Sequence, residues 1–92
     1  MIQSFRHKGL ERFFVTGSRK GIQPEHAEKI ARILDRLDAS TSPADMNLPG
    51  YRLHELKGDG VGTWSVTVNA NWRITFEFIG MDAFVVDYRD YH

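Results

Sequence analysis

Apolar residues recur at helical spacing along the first half of the chain and at strand spacing along the second. Leu10, Phe13 and Phe14 share one face of a helix predicted from about Lys8 to Thr16, with Gly17 as a plausible stop. Gly17 to Gln23 is a polar, glycine-bounded loop. Pro24 suits the first turn of a second helix, and Glu25 and Glu28 favour its positive end. Ala27, Ile30, Ala31, Leu34 and Leu37 form an i, i+3, i+4, i+7 stripe that ends near Asp38, and Ser40-Thr41-Ser42-Pro43 breaks it.

After the loop Asn47-Leu48-Pro49-Gly50, the segment from Tyr51 to Leu56 reads as a short strand, and Lys57-Gly58-Asp59-Gly60 as a turn. Trp64, Val66 and Val68 then alternate with Thr63, Ser65 and Thr67. Trp72, Ile74, Phe76 and Phe78 alternate with Arg73, Thr75 and Glu77. Phe84, Val86 and Tyr88 alternate with Val85, Asp87 and Arg89. Short turns at Asn69-Ala70-Asn71 and Gly80-Met81-Asp82 join these three runs into an antiparallel meander. Two helices followed by a sheet is an α+β layout, in which the helices cover one sheet face and the other stays polar, displaying Arg73.

Composition narrows the class. With 92 residues the chain is expected to form one domain, 1–92, and 41% apolar residues is too many for a disordered segment. It contains no cysteine, so disulfides, thiolate metal sites and a cysteine nucleophile are excluded, and a reducing compartment is suited. No apolar run approaches a membrane span, and Met1-Ile2-Gln3-Ser4-Phe5-Arg6 lacks the core of a signal peptide, so the cytoplasm is the expected location. The formal net charge of zero lacks the overall basic balance usual in nucleic-acid binders. Its distribution is uneven: Arg6, Lys8, Arg12, Arg19 and Lys20 stand against Glu11 in the first 24 residues, leaving room for a basic face.

The side chains with catalytic potential fall late. His54 and Lys57 lie on or after one strand, Arg73 on the outward face of another, and Asp90, Tyr91 and His92 close the sequence. Strand ends distant in sequence can meet in an antiparallel sheet, so these six can form one site. Such a set suits cleavage of RNA by its own 2′-hydroxyl. Histidine serves as base or acid near neutrality, arginine and lysine stabilise phosphate charge, aspartate orients a histidine or acts as base, and tyrosine stacks or donates a proton.

Each also has a plainer reading. His54 is then a surface histidine, Lys57 a solvated turn residue, Arg73 the partner of Glu77 or Asp87, and the terminus frayed. His7 and His26 receive no role, and Trp64 and Trp72 read as core. His54, Asp90 and His92 would ligate a metal if they converged, but no stretch has metal-motif spacing, and Gly17-Ser18-Arg19-Lys20-Gly21 lacks the phosphate-loop pattern. No cofactor is expected.

Four segments carry a resemblance: Met1-Ile2-x-Ser4-Phe5-x-His7-Lys8-Gly9-Leu10; Leu53-His54-x-Leu56-Lys57-Gly58 with Gly62-x-Trp64-Ser65; Asn71-Trp72-Arg73-Ile74-Thr75-Phe76; and Asp90-Tyr91-His92. In this order and at this length the chain resembles the HigB toxins of the RelE superfamily. The resemblance implies two N-terminal helices packed on a curved, mainly antiparallel sheet. It implies a ribosome-dependent mRNA interferase that cuts adenine-rich codons in the A site by metal-independent 2′-hydroxyl attack. It implies a HigA-like helix-turn-helix antitoxin, with operator DNA bound only through the complex. It assigns the active site to His54, Asp90, Tyr91 and His92, supported by Lys57 and Arg73. The preferred division of roles makes Asp90 or His54 the base, has His92 protonate or orient the leaving group, lets Lys57 and Arg73 hold the phosphate, and has Tyr91 stack on or position a base. The alternative is a module that binds RNA, the ribosome or a protein partner without catalysis.

Overall fold

A computed structural model describes residues 1–91; His92 lies outside them. Helix α1 (Lys8–Thr16) and helix α2 (Ala27–Ala39) precede four strands: β1 (His54–Glu55), β2 (Thr63–Asn69), β3 (Trp72–Ile79) and β4 (Asp82–Asp90). The sheet is an antiparallel meander in the order β1-β2-β3-β4, so the molecule is α+β as expected.

Local chemistry sets the helix ends. His7 Nδ1 accepts the Leu10 N–H at 3.0 Å, capping the first turn of α1. Gly17 takes a left-handed φ of 80° and returns its N–H to Phe13 O. The segment expected to begin α2 is instead a 3-10 turn over Pro24–His26, which hands over to the α-helix at Ala27. Helix α2 buries Ala27, Ile30, Ile33, Leu34 and Leu37. These pack with Leu10 of α1 and with Val66, Ile74, Phe76, Val86 and Tyr88 of the strands in one core. Removing this apolar surface from water is the main drive for the helices to lie on the sheet.

The observed sheet departs from the expected one in several places, including a register shift in β2 between Thr67 and Asn69. The first strand is shorter than the expected Tyr51 to Leu56 stretch, because Arg52 has a φ of 51° and turns the backbone out of the extended region. The strand pairs His54 with Ser65 and Glu55 with Trp64, and backbone hydrogen bonds from Leu56 N–H to Thr63 O at 2.8 Å and from Thr67 N–H to Tyr51 O at 2.7 Å flank it. In β4 the register slips between Thr75 and Glu77 of β3, so Glu77 faces Phe84 while Thr75 faces Asp87. Val85, with a φ of 55°, is the extra residue of this bulge. Phe84 therefore lies on the face opposite Val86 and Tyr88, not with them as the simple alternation predicted. Finally, the N-terminal residues run parallel to the outer edge of β4, with bridges from Ile2 to Ala83 and from Phe5 to Val86. Ser4 Oγ accepts the Val85 N–H at 2.9 Å, satisfying the donor that the bulge removes from the ladder.

Candidate functional site on the helix-free face

Register sorts the strand residues onto two faces. On the face without helices, His54, Ser65, Thr75 and Asp87 form one cross-strand row, and Thr67, Arg73 and Arg89 form the next. That face is less open than its polarity suggests, since Ser65 and Thr75 are buried, and their hydroxyls and that of Thr67 have no hydrogen-bond partner among the described residues. A cleft of about 380 Å³ lies on this side, walled by Leu56 and Asp59 and by Arg6, with Thr63, Glu77 and Arg89 along its floor.

The Arg73 side chain and the Tyr91 backbone are both anchored at one end of the face, at the β2–β3 turn. Arg73 Nη1 donates to Ala70 O at 2.8 Å and to Trp72 O at 3.3 Å. The backbone N–H of Tyr91 donates to Asn71 O at 2.8 Å. The chain is thus tied down as far as Tyr91, which a frayed end would not be. Arg73 does not take the carboxylate partner of its plainer reading. Asp87 pairs with Arg89 instead, Nε to Oδ2 at 2.8 Å, and Arg89 Nη1 donates to Tyr91 Oη at 3.1 Å. Burial works against the charge on Arg89, but the hydrogen bond to Asp87 and the contact with Tyr91 outweigh it and raise the pKa of the guanidinium.

The other expected residues lie elsewhere. His54 is exposed on the edge strand β1, three strand spacings from β4, or about 14 Å. Its Nδ1 stands 3.1 Å from Arg52 O, so Nδ1 carries the proton and Nε2 is the basic nitrogen of the neutral ring. Lys57 follows at the entry of the 3-10 turn Gly58–Gly60, further from Arg73 along the sheet. Asp90 pairs in register with Trp72, which places it on the helix side of β4 at the exposed end of the strand. The structure therefore anchors the Arg73 side chain and the Tyr91 backbone at one turn, links the Tyr91 phenol to Arg89, and leaves His54 and Lys57 at the opposite edge and Asp90 on the opposite side. His92 falls outside the described residues. Among the described residues no group of three or more His, Cys, Asp or Glu side chains stands close enough to hold a metal ion.

Sequence reasoning passed over two groups. Asp87 and Arg89 belong to the site's framework, and the spacing Asp87-x-Arg89-x-Tyr91 was the available signal, since it puts all three on one strand face. On the helix side His26 is buried, with Nδ1 2.7 Å from Tyr88 Oη. The Trp72 and Tyr88 rings lie 4.6 Å apart beside it. Burial raises the pKa of the Tyr88 phenol. A hydrogen bond from the Gln23 backbone opposes this, and the negative charges of Glu25 and Asp90 add to it. His26 is four residues before Ile30, on the same apolar stripe, which was the clue to its burial.

The sequence is similar to those of known proteins. Residues 3–92 match the family model described as HigB-like toxin, the RelE-like toxin of the type II toxin-antitoxin system HigB. The chain is 47% identical to the protein named Endoribonuclease HigB of Proteus vulgaris over 92 residues, covering 100% of both. It is 32% identical to Toxin HigB-1 of Vibrio cholerae serotype O1 (strain ATCC 39315 / El Tor Inaba N16961) over 81 residues, covering 86% of this chain and 85% of that one. With a family model matched along almost its whole length and a relative of equal length at this identity, the chain belongs to the HigB-like toxins of type II toxin-antitoxin systems.

Proposed function

We propose that this protein is an endoribonuclease toxin that enters the ribosomal A site and cuts the mRNA codon held there, preferring adenine-rich codons. The observation that carries the reading is the end-to-end match to the Proteus vulgaris endoribonuclease, in a chain whose Arg73 side chain and Tyr91 backbone are anchored at the same turn. The guanidinium supplies charge for the phosphorane, and Tyr91 supplies a hydroxyl or a stacking surface beside it.

In the proposed reaction a base takes the proton of the 2′-hydroxyl, and the 2′ oxygen attacks the adjacent phosphorus. The bond to the 5′ oxygen breaks, and an acid protonates that oxygen. The products are a 2′,3′-cyclic phosphate and a free 5′-hydroxyl. All of this needs side chains alone. Of the two candidate bases, Asp90 adjoins Tyr91 at the strand end but on the helix side of the sheet, whereas His54 shares the helix-free face but stands across it. His92 is the acid. Lys57, with His54 beside it, grips the RNA where it crosses the far edge of the face.

The same reading gives the protein the curved-sheet RelE-like fold as one domain, and a HigA-like helix-turn-helix antitoxin as its partner. The complex, rather than the toxin, binds operator DNA. The proposed location is the cytoplasm; no helix among the described residues is long and apolar enough to cross a membrane.

The test is cleavage of a programmed message on purified ribosomes, with wild type, Asp90→Ala, His54→Ala and His92→Ala side by side and free RNA as control. A cut in the A-site codon leaving a cyclic or 3′-phosphate end is expected. Loss of the acid or base should slow it by roughly 100- to 10,000-fold. An intact message on ribosomes that have bound the protein would defeat the enzyme reading in favour of a binding module.

A further inference from the structure

Asp87, Arg89 and Tyr91 occupy successive positions on the helix-free face of β4 and its extension, and they are linked in a directed chain. The Tyr88 backbone N–H donates to Asp87 Oδ1 at 2.9 Å, fixing the carboxylate. Asp87 Oδ2 accepts Arg89 Nε at 2.8 Å, with the aspartate only 13% exposed and the arginine 34%. Arg89 Nη1 donates to Tyr91 Oη at 3.1 Å, while the backbone of Tyr91 is held by Asn71 O.

The chain has a chemical direction. A phenol oxygen has one proton to give and two lone pairs to receive. Here one lone pair is taken by a guanidinium, which has no acceptor to offer in return. The Tyr91 proton therefore points away from Arg89, and the positive charge behind the oxygen polarises the O–H outward. We propose that Arg89, braced by Asp87, is a positioning residue that fixes Tyr91 as a hydrogen-bond donor to the phosphate of bound RNA. The proposal rests on the endoribonuclease reading. It makes Tyr91 a donor rather than a stacking platform, and it gives Arg89 no direct grip on the substrate.

A double-mutant cycle in the ribosome-dependent cleavage assay tests it, using wild type, Arg89→Met, Tyr91→Phe and the double variant. Tyr91→Phe is expected to lower kcat by roughly 100-fold, the loss of one donor to developing charge. Arg89→Met should lower kcat by roughly 10-fold, as loss of a charge-assisted hydrogen bond does, and leave KM unchanged. The double variant should be no slower than Tyr91→Phe alone. Arg89→Lys should recover part of the loss, because an ammonium reaches one of the two partners but lacks the fork for both.

Effects that multiply in the double variant, or a raised KM with unchanged kcat, would overturn the proposal by showing that Arg89 touches RNA independently. If Arg89→Met melts before the assay temperature, the cycle is run with Asp87→Asn in its place, under the same criteria. An inactive wild type would defeat the endoribonuclease reading and the proposal with it, whereas an active wild type with multiplying effects defeats the proposal alone.

Discussion

Arg73 and Tyr91 are anchored to neighbouring carbonyls of a single turn, the side chain of one to Ala70 O and the backbone of the other to Asn71 O, each at 2.8 Å. The β2–β3 turn thereby holds a cationic side chain of one strand and the backbone that follows another, while the Tyr91 phenol is held by Arg89. A turn that carries a site in this way has less freedom than a surface loop usually has.

Arg73→Ala is expected to weaken both ribosome-bound cleavage and RNA affinity, because it removes a charge from the phosphate position and releases the turn. Removing one preorganised donor typically costs about 100-fold or more in rate. Arg73→Lys should be intermediate, keeping the charge but not the fork. Single-turnover cleavage with a binding titration reads both; wild-type values for Arg73→Ala would remove Arg73 from the site.

Deleting residues 90–92 should abolish cleavage. On sequence grounds the fold would be indifferent to this loss, but Asp90 pairs with Trp72 and Tyr91 with Asn71. A modest cost of about 1 kcal/mol per lost hydrogen bond is therefore expected, lowering Tm by several degrees in a domain of this size. A truncated protein with unchanged Tm would show that the terminal pairing contributes nothing in solution.

Tyr88→Phe removes the partner of the buried His26 Nδ1. Leaving a buried polar atom unpaired costs about 1–3 kcal/mol, readable by denaturant titration at neutral pH. The phenol's pKa is raised, so the neutral form is favoured in the fold. Its contribution is complete below about pH 10 and is lost as the pH climbs through the raised value. The wild type should accordingly lose stability in alkali more steeply than Tyr88→Phe; parallel curves would place Tyr88 in a more exposed setting.

Ser4→Ala strips the Val85 N–H of its acceptor at the bulge. The expected destabilisation is about 1–3 kcal/mol, with faster hydrogen exchange of that amide in particular. An unchanged exchange rate at Val85 would mean that water serves the bulge as well as the serine does.

Both helices and the three long strands were legible because their apolar periods are unbroken: Leu10 to Phe14, Ala27 to Leu37, and the alternations through Val66, Ile74 and Tyr88. What escaped depends on partners distant in sequence. Nothing around Ile2 and Phe5 reveals that they bridge to Ala83 and Val86, and nothing around Val85 reveals a bulge, since each is defined by the other. At the site, alternation placed Arg73 on the correct face. The choice of Asp87 between Arg73 and Arg89 was settled by proximity along one strand, which composition does not show. The separation of His54 from Tyr91 follows from the number of strands between them, a matter of topology rather than residue type.

The N-terminal segment beside β4 also governs how the sheet meets other chains. An open strand edge is a template on which any extended peptide can pair. Here one edge is occupied by the protein's own first residues, and the other is the two-residue strand β1, where Arg52 bends away. Strand addition and edge-to-edge aggregation thus have little to build on, and a partner protein is left to recognise side chains on the two faces and the helices.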